Sequence, residues 1–286
     1  PEAGNYAFAT VLHETGHALG LKHGHAAASF DKIKTELSGK YDSLEYSVMT
    51  YHSYAGQKGA AGYTNEKFGF PQTYMMADIR ALQHMYGADF TTNSGDTVYK
   101  WNPGSGNTLV NGAVGIDAGA NRIFATIWDG GGTDTYDLSA YSSKLSIDLR
   151  PGGHSVFSRK QLADLDQFKN GKDAGGNIYN ALLFEGDQRS LIENAIGGNG
   201  GDKIVGNNIA NMLQGGAGND KLSGGKGADV LIGGLGKDTL NGGKGIDTLT
   251  GGDHADTFVF NRGFGGDTIT DFGLGGDRID LSGFNF

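Results

Sequence analysis

The sequence predicts a multidomain α+β chain: a mainly helical first part, residues 1–90, followed by an all-β parallel roll, residues 91–286. Three observations carry that expectation. A short helical stretch near the N-terminus holds three histidines and a glutamate at fixed spacing, the composition changes near residue 90, and a glycine-rich period of nine runs over about 197–259. The bulk numbers agree. A chain of 286 residues accommodates two ordinary domains, and 51 glycines beside four prolines suit a periodic structure rather than a proline-rich linker. The net charge of −9 argues against nonspecific binding to nucleic acid or anionic membrane and favours cations. With no cysteine, stability has to come from packing and metal instead of disulfides. No stretch approaches the ~20 apolar residues of a membrane span, and the residues from Pro1 onward lack the basic-then-apolar pattern of a secretory signal.

The first element is a helix from Tyr6 to about Leu21, with Asn5 able to cap its free N–H groups. At about 100° per residue, Phe8, Leu12, Thr15 and Leu19 share one sector, expected to pack inward, while His13 and His17 lie roughly opposite and face a cleft. The stretch reads His13-Glu14-x-x-His17-x-x-Gly20-x-x-His23. Histidines four apart can reach one ion, and Gly20 can take the left-handed conformation that ends the helix and returns His23 to the other two. Three nitrogen ligands with a fourth position open describe a catalytic zinc, since a structural site is normally closed by a fourth side chain. Glu14 is not needed as a ligand, so its natural task is to take a proton from metal-activated water and pass it to a leaving amine.

Downstream, Tyr46-Ser47-Val48-Met49-Thr50-Tyr51 completes a resemblance to the metzincin metallopeptidases and, within them, to the serralysin subfamily. The resemblance implies a tight turn placing Met49 beneath the metal. It also implies that Tyr51 can ligate zinc at rest and swing to stabilise the tetrahedral intermediate. Serralysins usually carry proline after the third histidine; here Gly24 stands there, followed by His25. His25, His52 and His84 are read as non-ligands, three ligands already filling the usual set. A second helix is expected from near Thr73 to Gly87, with Met76, Ile79, Leu82 or Gln83, and Tyr86 as its core stripe. The resemblance further implies a twisted sheet before the zinc helix, whose edge strand binds the substrate backbone; that half is expected to lie outside this sequence.

After Asp89 the chain turns to glycine, aspartate, asparagine and β-branched residues. Nonapeptides Gly-Gly-x-Gly-x-Asp-x-U-x, with U a large apolar residue, begin at Gly197, Gly215, Gly224, Gly233 and Gly242, the pattern of RTX repeats in a parallel β-roll. Glycines make the turns and free carbonyls, and Ile204, Leu222, Leu231, Leu240 and Leu249 point inward. The sixth-position carboxylates are candidate calcium ligands, Asp202, Asp220, Asp238 and Asp256 on one edge and Asp229 and Asp247 on the other. Without calcium these charges repel, and the roll is expected to unfold. The repeats at Gly206, with Asn211 in place of aspartate, and at Gly251, with His254 in place of glycine, are degenerate and expected to hold calcium more weakly. The alternating stretches 266–272 and 277–281 are expected to cap the roll over 260–286.

An isolated first calcium site follows from the resemblance to serralysin C-terminal domains. It would use Asp129 and Asp134 as carboxylate ligands, with carbonyls from Asn93, Gly95, Thr97 and Gly131, and Glu193 is a candidate to close another site. The resemblance covers essentially the whole chain. It implies a secreted, extracellular bacterial endopeptidase with one zinc and several calcium ions, acting as a monomer. Implied partners are protein and peptide substrates, a proteinaceous inhibitor and the type I secretion machinery, whose signal lies beyond Phe286 in family members. The alternative is a calcium-dependent secretion or binding module that does not cut.

Overall fold

The computed structural model describes residues 1–24, 37, 39–57, 62–168 and 171–284; His25 lies outside them. Its largest feature is the roll that the nine-residue period dictates. Successive repeats alternate between two parallel sheets, because each strand is followed by a glycine turn that reverses the chain. Lys203–Val205, Lys221–Lys226, Thr239–Lys244, Thr257–Val259 and Arg278–Asp280 stack on one side, and Asn194–Ile196, Met212–Ala217, Val230–Leu235, Thr248–Asp253 and Thr268–Ile269 on the other. Register therefore advances by two repeats: Leu222 pairs with Leu240 and Leu231 with Leu249. Ile204, Leu213, Leu222, Leu231, Leu240 and Leu249 fill the interior and are at most 2% exposed; each such burial stabilises the fold by about 1.5–3 kcal/mol. The expected capping stretches supply the last strand of each sheet, Thr268–Ile269 and Arg278–Asp280.

Towards the N-terminal end the roll grows into a broader β-structure. One sheet reaches nine strands by adding Thr135–Asp137 and Val98–Asn102 in parallel and then Ser105–Val110 and Ala113–Ile116 in antiparallel pairing. The other ends at Ser146–Asp148, and a separate three-stranded sheet joins Ala125–Ile127, Ile178–Asn180 and His154–Ser155. Here aromatics replace leucines: Tyr99, Trp101, Tyr136, Tyr141 and Phe157 form one buried cluster with the roll's interior. Their polar ends are satisfied, Trp101 Nε1 donating to Thr108 Oγ1 (2.9 Å) and Tyr141 OH to Gln161 Oε1 (2.9 Å).

Among the described residues, the part before residue 90 is not mainly helical. Those residues hold two helices, α1 (Tyr6–Ala18) and α2 (Met76–Tyr86), joined by turns and irregular segments. Side chains satisfy the intervening backbone: Thr64 N donates to Ser53 Oγ (2.8 Å), Ser53 N to Gln57 Oε1 (2.6 Å) and His52 N to Thr50 Oγ1 (3.1 Å). A second core joins Ala9, Leu44, Met49, Phe70 and Met75 to Phe124, Leu165 and Tyr179, so packing is continuous across residue 90. No helix among the described residues is long and apolar enough to cross a membrane.

α1 buries a different face from the one its apolar pattern suggests, while α2 buries Met76 and Gln83 of its expected stripe but not Tyr86. The inward stripe of α1 is Ala9, His13 and Gly16, whereas Thr15 is exposed, Leu19 is 37% exposed, and Phe8 and Leu12 are only partly covered. Small residues decide it: a Cβ at position 16 would lie 2.6 Å from Met49 Sδ, so glycine is what lets the helix approach that methionine. On α2 the buried residues are Met76, Asp78 and Gln83. Ile79 and Leu82 are partly covered, and Tyr86, expected in the core, is 68% exposed and donates through its hydroxyl to Leu19 O (2.8 Å) at the end of α1.

Candidate metal centre and cation turns

Asn5 caps α1 through its side-chain oxygen, which accepts Phe8 N–H at 2.8 Å. The helix stops at Ala18, and Gly20 at φ +92° reverses the chain toward His23. The reversal brings three ring nitrogens together: His23 Nε2 lies 3.1 Å from His13 Nε2 and 3.0 Å from His17 Nε2. Two tautomers follow from the partners. His13 Nδ1 faces Val48 O at 2.7 Å and His17 Nδ1 faces Leu21 O at 2.9 Å; a carbonyl only accepts, so both Nδ1 atoms carry hydrogen and both Nε2 atoms present lone pairs. Lone pairs gathered this closely call for a cation. Tetrahedral zinc with bonds of about 2.0–2.1 Å has nitrogens about 3.3 Å apart, so the donor set fits the ion.

Around these nitrogens, Tyr51 places its hydroxyl 2.9 Å from His23 Nε2 and stacks its ring on His13 at 5.7 Å and 17°. Glu14 is exposed and, with His13, Tyr51 and Thr10, borders a cavity of about 950 Å³. Met49 is buried under α1 against Gly16. Overpacking of this kind costs about 1–3 kcal/mol, so Gly16→Ala is expected to lower the thermal midpoint; an unchanged melting curve would show that Met49 gives way freely. Gly24 N donates to Met49 O (3.2 Å), a bond proline could not make. His52 is engaged with Asp42 (2.7 Å), and His84 lies exposed on α2.

One residue of the centre gives no signal in the sequence. Asp78, third residue of α2, is buried and accepts Ser47 Oγ–H (2.6 Å), Val48 N–H (2.7 Å) and Met75 N–H (3.1 Å). It therefore fixes both the methionine turn and the start of α2, and Val48 passes the constraint on through the carbonyl that orients His13. Burial pushes its carboxyl up to about 6 against the lowering effect of those hydrogen bonds.

The residues expected at the first calcium site are linked by hydrogen bonds. Thr97 Oγ1 donates toward the carbonyls of Asn93 (3.2 Å) and Gly95 (2.8 Å), and Thr97 N donates to Asp134 Oδ1 (2.8 Å). Gly131 enters through its N–H, bonded to Asp129 Oδ1 (2.9 Å). Glu193 lies beside this group, Asp134 N donating to its Oε2 (2.7 Å). Burial first, then neighbouring carboxylates, push Asp134 up to about 8 and Glu193 to about 7. In the roll, burial and like-charged neighbours raise Asp220 and Asp229 to about 7 and Asp238 to about 6; Asp202, Asp247 and Asp256 are raised too. The Oδ2 atoms of Asp134, Asp220, Asp229, Asp238, Asp247 and Asp256 are buried with no hydrogen-bond partner among the described residues. Bare buried oxygens beside other carboxylates and glycine carbonyls suit a hard cation.

The chain is similar to known proteins over most or all of its length. Residues 88–286 match the family described as Peptidase M10 serralysin C terminal. The chain is 38% identical over 287 residues to Serralysin G of Dickeya chrysanthemi, covering 100% of this chain and 51% of that protein. It is 37% identical over 215 residues to Serralysin of Proteus mirabilis, covering 74% and 38% of the two. Metalloprotease AprA of Pseudomonas entomophila (strain L48) is 34% identical over 219 residues, with 75% and 39% covered. The chain thus spans about half or less of these relatives. The matched family description and the repeat-built roll say the same thing: this chain belongs to the serralysin family of M10 peptidases.

Proposed function

We propose that the chain carries the zinc centre of a secreted endopeptidase, residues 1–90, together with the calcium-loaded roll that supports it, residues 91–286. The observation that carries the reading is the convergence of the Nε2 atoms of His13, His17 and His23, with Tyr51 OH beside them, next to a cavity that His13, Glu14 and Tyr51 line. Zinc, when bound by those three nitrogens, supplies Lewis acidity that polarises a peptide carbonyl and acidifies water. Glu14 takes the proton of the attacking water on a carboxylate oxygen and returns it to the leaving amine nitrogen. Tyr51 OH donates a hydrogen bond to the carbonyl oxygen as charge builds on it. Val48 O and Leu21 O keep His13 and His17 in the ligating tautomer, while Met49 supports α1 from below. The relatives' names, serralysin and metalloprotease, support the same reaction class. Protein substrates, a proteinaceous inhibitor, export by the type I route and a monomeric, extracellular protein belong to the same proposal.

Casein hydrolysis by this chain tests the reading. Wild type is expected to cut, and Glu14→Ala to lose about 10²–10⁴-fold in rate, with a zinc chelator abolishing the rest. If wild type and Glu14→Ala are equally inert while calcium still folds the roll, the chain is a calcium-dependent module and not a peptidase.

A further inference from the structure

The columns of turns along the roll are not uniform, and the difference lies in the second polar atom of the sixth-position side chain. At Asp220, Asp229, Asp238, Asp247 and Asp256, Oδ1 accepts the N–H of the residue eighteen positions earlier, at 2.7–2.9 Å. Their Oδ2 atoms are the bare ones, in side chains at most 1% exposed.

Asp202 and Asn211 depart from this pattern in the same way. Asp202 Oδ1 accepts Leu145 N–H (2.7 Å) and its Oδ2 accepts Gly198 N–H (2.8 Å). Asn211 Oδ1 accepts Asn207 N–H (2.7 Å), while its Nδ2 donates to Glu193 O (2.8 Å) and Asn207 Oδ1 (3.2 Å). In both turns the N–H four residues back occupies a side-chain oxygen. The backbone explains why: the equivalent glycines of the open turns, Gly216, Gly225, Gly234, Gly243 and Gly252, have φ between 100° and 116°, whereas Gly198 and Asn207 are not at positive φ. Asn207 also donates through Nδ2 to Ile192 O (2.8 Å), tying its turn to the chain before it. At the far end the contact recurs, Gly273 N–H donating to Asp277 Oδ2 at 2.9 Å.

We infer that the repeats hold five cations, one for each bare oxygen of Asp220, Asp229, Asp238, Asp247 and Asp256, and that the Asp202 and Asn211 turns are metal-free caps closed by hydrogen bonds. At Asn211 the argument is also electrostatic. Its amide hydrogens point where the neighbouring turns present oxygen, and a donor there repels a cation. The inference rests on the calcium reading of the roll proposed above and narrows it: the degenerate asparagine repeat is not a weak site but a stopper, and the first full repeat shares that task.

Equilibrium dialysis of the full chain against calcium, with circular dichroism confirming the fold at saturation, tests this. Asp202→Asn is expected to bind as many ions as wild type, and Asp229→Asn about one fewer. Asn211→Asp, in which Asn207 N–H still closes the turn as Gly198 N–H does at Asp202, is expected to bind as many ions as wild type. Loss of an ion in Asp202→Asn, or an ion gained in Asn211→Asp, overturns the inference even where Asp229→Asn fails to fold. A wild-type chain that binds no calcium overturns the calcium reading itself.

Discussion

Withdrawing calcium at about pH 8 is expected to unfold the roll, and acidifying the calcium-free chain to about pH 5 to recover much of its β-structure. The sign follows from the carboxylates. In the folded, ion-free roll Asp220 and Asp229 titrate at about 7 and Asp238 at about 6, well above the usual carboxylate range. Between the unfolded and folded values the folded state binds more protons. Its stability is therefore fullest below the unfolded pKa, about 4, and is lost as pH climbs through 6 to 7. Calcium replaces those protons with a fixed charge, so binding releases protons and tightens with rising pH until the groups are ionised. Far-UV circular dichroism in chelator at the two pH values, with and without added calcium, reads the effect. Equal β-content in all four samples would mean that packing of the leucine column alone sustains the roll.

Asp78→Ala is expected to be among the most damaging single changes outside the histidines. It leaves Ser47 Oγ–H, Val48 N–H and Met75 N–H without their shared acceptor in a buried place, which costs about 3 kcal/mol or more at 1–3 kcal/mol per group. The loss should also be felt at the metal. Val48 O orients His13, so slackening the turn is expected to weaken zinc binding by about 10–100-fold, the usual effect of removing a ligand's support. Thermal unfolding and a zinc competition titration measure the two parts. A variant that melts lower but holds zinc as tightly as wild type would confine Asp78 to stability.

What the sequence disclosed was what repeats or has a fixed chemical spacing. The nine-residue period sets sheet alternation, the inward leucines and the eighteen-residue register, because the same turn chemistry recurs and each copy reports on the others. His13, His17 and His23 were legible since helix pitch and a reversing glycine leave few other placements. The face of α1 was not, because a wheel counts apolar area while the packing turned on Ala9 and Gly16, whose value is the absence of a side chain. Asp78 stayed hidden for a related reason: a lone aspartate in a helix's first turn looks like an ordinary dipole partner, and its use depends on a turn thirty residues away. The aromatic cluster around Trp101 and Phe157 likewise rests on contacts distant in sequence and carries no period.

The ladder in which Asp220, Asp229, Asp238, Asp247 and Asp256 accept an N–H from eighteen residues earlier also bears on how such a chain can change length. A gain or loss of eighteen residues adds or removes one rung from each sheet and leaves every later residue beneath its old neighbour. A change of nine moves every later strand to the opposite sheet, so that Thr268–Ile269 and Arg278–Asp280 would exchange sheets. Recombination and slippage among near-identical repeats are thereby filtered by geometry, and variation in the number of turns is expected to survive in even steps.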